Sequence, residues 1–204
     1  MKLGCREFFN SVAEKWDDMC CHDTEKINRI LDMAQLKKGD KVLDVGTGTG
    51  VMIPFLQERV GEQGYITAID LAENMLKIAE RKYRTLNVSF IHADITTADL
   101  DGNFDLILCY SVFPHFKDRL KAIKNMYRLL KPGGRILICH SQSRKQINQI
   151  HMNSPSREIN RDHLPPASVV GEYLKEQGMK LLAEVDSEEM YVVMAQKMHN
   201  GNKR

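Results

Sequence analysis

Val42-Leu43-Asp44-Val45-Gly46-Thr47-Gly48-Thr49-Gly50 is a short β-branched, apolar run that passes directly into glycines spaced at every second position. The run from Lys41 to Val45 predicts a strand, and the periodic apolar residues from about Met52 to Val60 predict a helix after the turn. Glycines without Cβ atoms allow the turn between them to bend tightly and to approach a ligand closely.

The same alternation continues along the chain. Strands are predicted at Tyr65–Ile69, Val88–His92, Phe104–Cys109 and Arg135–Cys139, with helices at Ala72–Tyr83 and Asp118–Leu130 between them. Lys131-Pro132-Gly133-Gly134 is expected to stop the second of these helices. A last helix, Ser168–Gln177, ends at Gly178, and two closing strands, Lys180–Val185 and Tyr191–Gln196, are near enough to form a hairpin. Ahead of the glycine turn, Glu7–Met19 reads as a helix with Phe8, Val12, Trp16 and Met19 near one face. Thr24–Ala34 reads as another, with Ile27, Ile30 and Leu31 at helical spacing. Strand–helix alternation predicts α/β architecture: a doubly wound, mostly parallel sheet of seven strands, with helices on both faces and one antiparallel strand from the C-terminal hairpin. Asp105-Leu106-Ile107-Leu108 lacks polar alternation, as a strand covered on both faces should. One structural domain is expected, organised as an N-terminal helical lid (1–38) and a body (39–199). Ser141–Pro166 is the exception, a long polar, histidine-bearing insertion on the substrate side. Asn200–Arg204 reads as a polar tail.

Composition narrows the function. The chain has 204 residues, 27% charged and 43% hydrophobic, with a formal net charge of +2. That charge is too small for phosphate-backbone binding, so nucleic acid is not an expected partner. No apolar run reaches the roughly 18–20 residues that span a bilayer, and Arg6 and Glu7 stand where a secretion signal would be apolar. The five cysteines are odd in number, consistent with reduced thiols and a cytoplasmic, monomeric or homodimeric protein.

A glycine turn alone is ambiguous, because dinucleotide enzymes have one too. Three acidic residues sharpen it: Asp44 two residues ahead of the glycines, Asp70 at the end of the second strand, and Asp94 in His92-Ala93-Asp94-Ile95 after the third. Asp70 is placed to accept hydrogen bonds from both hydroxyls of a ribose, and Asp94 from an adenine amino group. Asp70 alone would also suit a nicotinamide-dependent oxidoreductase, which Asp94 and the closing hairpin make the weaker reading.

The ordered set resembles the class I S-adenosyl-L-methionine (SAM)-dependent methyltransferases, in the style of the ubiquinone/menaquinone-biosynthesis C-methyltransferases and their small-molecule relatives. Phe8 to Asp17, Asp44 to Gly50, Ala68 to Leu76, Phe104 to Phe116 and Leu129 to Gly134 carry the likeness. It implies a Rossmann-like fold and SAM as cofactor. Gly46, Thr47 and Gly48 would line the methionine moiety, with Asp44 under its amino group. Asp70 would hold the ribose, Leu71 and Met75 would flank the adenine, and Asp94 and Ile95 would meet its edge. Cys109 would face the methionine portion, and Trp16 would cover the cofactor.

The resemblance does not fix the acceptor. Methyl transfer from a sulfonium needs chiefly alignment and exclusion of water, with a base only where the acceptor must lose a proton. His115 is the candidate base. Cys20, Cys21, His22, His140, His151 and His163 fall in segments expected at the carboxyl edge of the sheet, and thiolate with imidazole suits zinc or another divalent metal. The leading expectation is therefore methyl transfer to a small-molecule substrate, with a thiol, metal or metalloid compound as one candidate class. The alternative is a SAM-binding, metal-responsive protein with its ion site above the cofactor. Arg144, Arg157 and Arg161 would add carboxylate or phosphate recognition, though a solvated loop explains them as well.

Overall fold

In a computed structural model, described over residues 4–85 and 87–199, the strand that precedes the glycine turn lies in the middle of the sheet. Strand β1 (Lys41–Val45) pairs in parallel with β2 (Tyr65–Asp70) on one side and β4 (Phe104–Tyr110) on the other. With β3 (Val88–His92), β5 (Leu130–His140), β6 (Met179–Asp186) and β7 (Tyr191–Lys197), the order is β3-β2-β1-β4-β5-β7-β6. Strand β7 is the one antiparallel member, paired with both β5 and β6. The expected seven-stranded, Rossmann-like α/β sheet is the one observed.

Every residue of β4 is buried, because helices cover both sides of the sheet. Period-two alternation sends Leu106, Leu108 and Tyr110 into one apolar layer with Val42, Ile66 and Leu137. It sends Ile107 and Cys109 into the other, with Leu43, Ile136 and Met126. Helices α4 (Ile53–Val60), α5 (Glu73–Tyr83), α6 (Arg119–Leu129) and α8 (Ala167–Glu176) fall where the periodicity puts them, within a few residues. Truncating a fully buried residue such as Leu43 to alanine costs about 2–5 kcal/mol by the general rule for such cavities.

Three segments depart from expectation. The N-terminal stretch is not one helix but α1 (Cys5–Val12), a 3₁₀ turn (Ala13–Lys15) and α2 (Trp16–Met19). The turn brings Asp17 over the glycine loop, where its carboxylate accepts from the Thr49 hydroxyl at 2.6 Å and pairs with Lys82. Helix α3 (Thr24–Ala34), capped by the Asp23 side chain, buries Ile27, Ile30, Leu31 and Ala34 in the body of the molecule, so the covering part is confined to Cys5–Met19. Strand β5 begins at Leu130, five residues earlier than predicted. Lys131-Pro132-Gly133-Gly134 ends the helix as expected but then runs on as strand, with a register irregularity opposite Phe104 and Leu106.

The third departure is Ser141–Pro166, which is ordered rather than irregular. It contains α7 (Arg144–Met152) and a 3₁₀ turn at Ile159–Arg161. A reciprocal capping box starts α7: Ser143 accepts from the Gln146 amide and the Gln146 side chain accepts from the Ser143 amide. The tail read from Asn200 to Arg204 lies outside the described residues.

Candidate functional site

The carboxyl ends of β1, β2 and β4, with the segment after β3, open onto one cavity of about 310 Å³. Its floor is the glycine turn. The amides of Gly46 and Thr47 donate to the Ile69 carbonyl at 2.8 and 3.0 Å, which ties the turn to β2. Gly46 adopts φ +68°, and a Cβ there would come within 2.2 Å of Val112 Cγ2, so both the conformation and the space require glycine. Gly48 is also left-handed, at φ +56°, but its nearest neighbour to such a Cβ is Trp16 Nε1 at 3.9 Å.

Asp70 joins the turn to the next helix. One carboxylate oxygen accepts from Gly48 N at 2.8 Å and the other from Ala72 N at 2.7 Å. Burial raises the Asp70 pKa, and those two amides oppose the rise. Leu71 and the buried Met75 continue the wall. Asp94 faces the cavity and is held by the Thr96 amide at 2.8 Å, with Ile95 beside it. Trp16 lines the cavity from above, packed edge-on against Phe9 at 5.3 Å between ring centroids. The covering helix is fastened to α5 by Arg6, which donates to Glu73 at 3.1 and 3.0 Å, and by Asn10 at 2.9 Å. These donors push the Glu73 carboxyl down to about 2, Arg6 first.

Nine of the eleven residues expected around the cofactor therefore line one cavity: Trp16, Gly46, Thr47, Gly48, Asp70, Leu71, Met75, Asp94 and Ile95. Two do not. Cys109 faces away from the cavity because it is an odd-numbered residue of β4. It is fully buried against α6, with its Sγ 3.5 Å from Met126 Sδ. Asp44 lies behind the wall formed by Val45 and Gly46, 1% exposed, and among the described residues its Oδ2 has no hydrogen-bond partner. Burial pushes its pKa from 3.8 up to about 7, against the pull of the nearby Thr47 hydroxyl.

Comparison with known proteins bears on this arrangement. Residues 42–134 match the family described as a methyltransferase domain. Over this stretch the chain is similar to the class I, SAM-dependent methyltransferases. The chain is 37% identical over 140 residues to the ubiquinone/menaquinone biosynthesis C-methyltransferase UbiE of Psychromonas ingrahamii, covering 64% of this chain and 56% of that protein. To the demethylmenaquinone methyltransferase of Staphylococcus epidermidis (strain RP62A) it is 32% identical over 136 residues, covering 63% and 56%. The chain thus spans a little over half the length of these curated relatives. A SAM-dependent methyltransferase from Aquifex aeolicus superposes with a TM-score of 0.70 at 26% identity, covering 92% of this chain and 97% of the other. The N-methyltransferase NodS of Bradyrhizobium japonicum, solved with S-adenosyl-L-homocysteine (SAH), shares the fold at a TM-score of 0.65 and 19% identity, covering 86% and 87%.

The acceptor end of the cavity differs from expectation. The six residues expected to converge on a metal do not. Cys20 is half-buried and Cys21 exposed, and neither lines the cavity, because α2 ends at Met19 and carries the chain away from it. Burial pushes the Cys20 thiol up to about 11. His22 does line the cavity, but its Nδ1 lies 3.1 Å from the Tyr110 hydroxyl, which in turn is 2.8 Å from Ser141 Oγ. His163 is exposed, with Nε2 3.5 Å from Asn148 Nδ2. Arg144 pairs with Asp186 at 2.7 Å, Arg157 and Arg161 are exposed, and none of the three lines the cavity.

His115 does line the cavity, in surroundings that no local sequence pattern announces. Its Nδ1 lies 2.6 Å from Asp162 Oδ2, its ring packs against Phe9 at 5.1 Å, and His151 lies on the other side at 4.9 Å. His151 Nδ1 is 2.9 Å from the Asp162 carbonyl. Arg119 holds the two loops together by donating to the Pro114 and His163 carbonyls at 3.2 and 2.6 Å. Cys5 completes this corner, and burial pushes its thiol up to about 12, with Asp162 adding to the rise. His140 is fully buried behind it. Burial holds its pKa down to about 3, reinforced by His115 and His151.

Proposed function

We propose that the protein transfers the SAM methyl group to a small, largely apolar acceptor that enters the cavity at its His115 end. The observation that carries this reading is a single cavity joining a nucleoside-shaped half to an aromatic half. Gly48, Asp70, Met75 and Asp94 line the first, and Phe9, Val112, His115 and Phe116 line the second. In the first half, Asp70 would accept from the ribose hydroxyls while remaining braced by the Gly48 and Ala72 amides. Asp94 and Ile95 would meet the adenine edge, and Leu71 and Met75 its faces. The unpartnered Asp44 oxygen would complement the ammonium of the methionine moiety across the thin wall of the turn.

In the second half, the rings of Phe9, His115 and Phe116 stand beside Lys117 and Asp118, which favours a flat acceptor with a polar edge over a free thiol or metalloid. Cys20 and Cys21, the residues that would have suited such a compound, stand outside the cavity. The quinone-biosynthesis methyltransferases named above make a hydroquinone the first acceptor class to try. The chain's role in the reaction is positional. It fixes the sulfonium on the glycine floor, aligns the acceptor opposite it, and uses Phe9 and Trp16 to exclude water.

The test has two stages. Thermal stabilisation by SAH and not by NAD checks the cofactor, and Asp70→Ala should abolish it. Incubation with methyl-labelled SAM and a reduced naphthoquinone, against a small thiol as comparator, then reads the product by mass spectrometry. No stabilisation by SAH would overturn the reading outright; label on the thiol alone would overturn the acceptor class.

A further inference from the structure

We propose that the corner formed by Cys5, His115 and Asp162 binds a divalent transition metal ion of the zinc class. This ligand set differs from the one expected from sequence, and the inference does not depend on methyl transfer.

Three donors of three chemical types meet here from distant parts of the chain: a thiol from α1, an imidazole from the 3₁₀ turn after β4, and a carboxylate from the loop after α7. One ligand atom from each lies within 4.8 Å of the others. Around a tetrahedral zinc, with bonds of about 2.0–2.3 Å, ligand atoms stand roughly 3.3–3.7 Å apart. The His115–Asp162 contact at 2.6 Å would open and the thiol would close in, shifts of about an ångström that side-chain rotation supplies.

Two further imidazoles border this corner. His140 is 1% exposed, and among the described residues neither of its ring nitrogens has a partner. Buried polar atoms are rarely left so, and this imidazole is an electrostatic neighbour of His115 and His151. His151 is the second. With its Nδ1–H donated to the Asp162 carbonyl, its Nε2 keeps a lone pair, the tautomer that a metal requires of a histidine. The same bond orients the backbone of Asp162, as an outer contact does in metal sites. His151 thus braces the site from outside the three-residue ligand set.

The charges balance. Thiolate and carboxylate together offset a divalent cation, the imidazoles stay neutral, and ion binding releases the thiol proton to solvent. Because Cys5 and His115 both line the cavity, a position on the ion faces the acceptor end. Three protein ligands with one open position is the pattern of an ion that takes a ligand from outside, here an oxygen donor such as a phenolate or water.

The test uses the full chain, stripped with a chelator and titrated with Zn²⁺ by calorimetry and with Co²⁺ by absorption. One ion per chain is expected, with a thiolate-to-cobalt charge-transfer band. Cys5→Ser should remove the band, Cys21→Ser should leave it, and Asp162→Asn should weaken binding by about tenfold or more. SAH-dependent stabilisation of Asp162→Asn verifies that this variant is folded. Failure of the wild type to bind either ion, a band that survives Cys5→Ser, or unchanged binding by Asp162→Asn would each overturn the proposal. Loss of methyl transfer in Asp162→Asn without any ion bound by the wild type would instead make Asp162 and His115 a proton-accepting pair.

Discussion

Asp44→Asn should make the ligand-free protein more stable and its cofactor binding weaker. The carboxyl is buried beside the glycine turn with an unpartnered oxygen, and its pKa rises from 3.8 to about 7. A carboxyl whose folded pKa is raised binds more protons in the folded state than in the unfolded one between those values. Stability contributed by this group therefore falls as pH rises from about 4 to about 7 and stays low above. At about 1.4 kcal/mol per pH unit, the charged form costs the ligand-free protein at most about 4 kcal/mol. Asparagine removes the charge but leaves a buried amide short of partners, a penalty of about 1–3 kcal/mol. The net gain is about 1–3 kcal/mol at pH 8, or roughly 2–12 °C in melting temperature for a chain of this size, and near pH 4, where the wild-type carboxyl is protonated, it should reverse to a loss of about 1–3 kcal/mol. Affinity for SAH, whose ammonium would offset the carboxylate through the wall of the turn, should fall about tenfold, the loss of roughly 1.4 kcal/mol of charge attraction without a direct hydrogen bond. Scanning calorimetry at both pH values and SAH titration read the two effects separately. A variant that is no more stable than wild type at pH 8, or that binds SAH equally well, would refute the reasoning.

Further outcomes follow from the same cavity. Gly46→Ala, which drives a Cβ to 2.2 Å from Val112 at positive φ, should destabilise the fold by more than about 2 kcal/mol, seen as a lower denaturation midpoint. Gly48→Ala meets only Trp16 at 3.9 Å and should cost about 1–2 kcal/mol of backbone strain, while calorimetry shows the larger loss in SAH affinity. Trp16, the single tryptophan of the chain, should change fluorescence on SAH binding, and an unchanged emission spectrum would remove it from the cover. Asp17→Ala, which releases both Thr49 and Lys82, should weaken SAH binding several-fold by fluorescence titration with little change in melting temperature.

The sheet was legible because its signals are local and repeat. β-branched runs such as Lys41–Val45 and helical spacing such as Ile27–Ile30–Leu31 each report their own element. The glycine turn and its acids were legible because the cofactor half is built from consecutive strand ends. Cys109 went wrong by a single residue of register. At period two, Tyr110 faces the cavity and its neighbour faces α6. The Ser143–Gln146 capping box was a readable sign of α7 that polarity obscured. Asp162 left no such sign, since its meeting with His115 spans 47 residues and depends on where α7 turns the chain.

The N-terminal strap is tied down at both ends, to Glu73 through Arg6 and Asn10 and to Thr49 and Lys82 through Asp17. Both moorings sit on elements that also bear the nucleoside half, so an occupant that steadies the glycine turn steadies the roof, and by reciprocity a closed roof tightens the grip on the occupant. The same strap carries Phe9 and Cys5 across to His115. The two ends of the cavity therefore lie under one roof with shared moorings, so whatever loosens that roof over one end loosens it over the other.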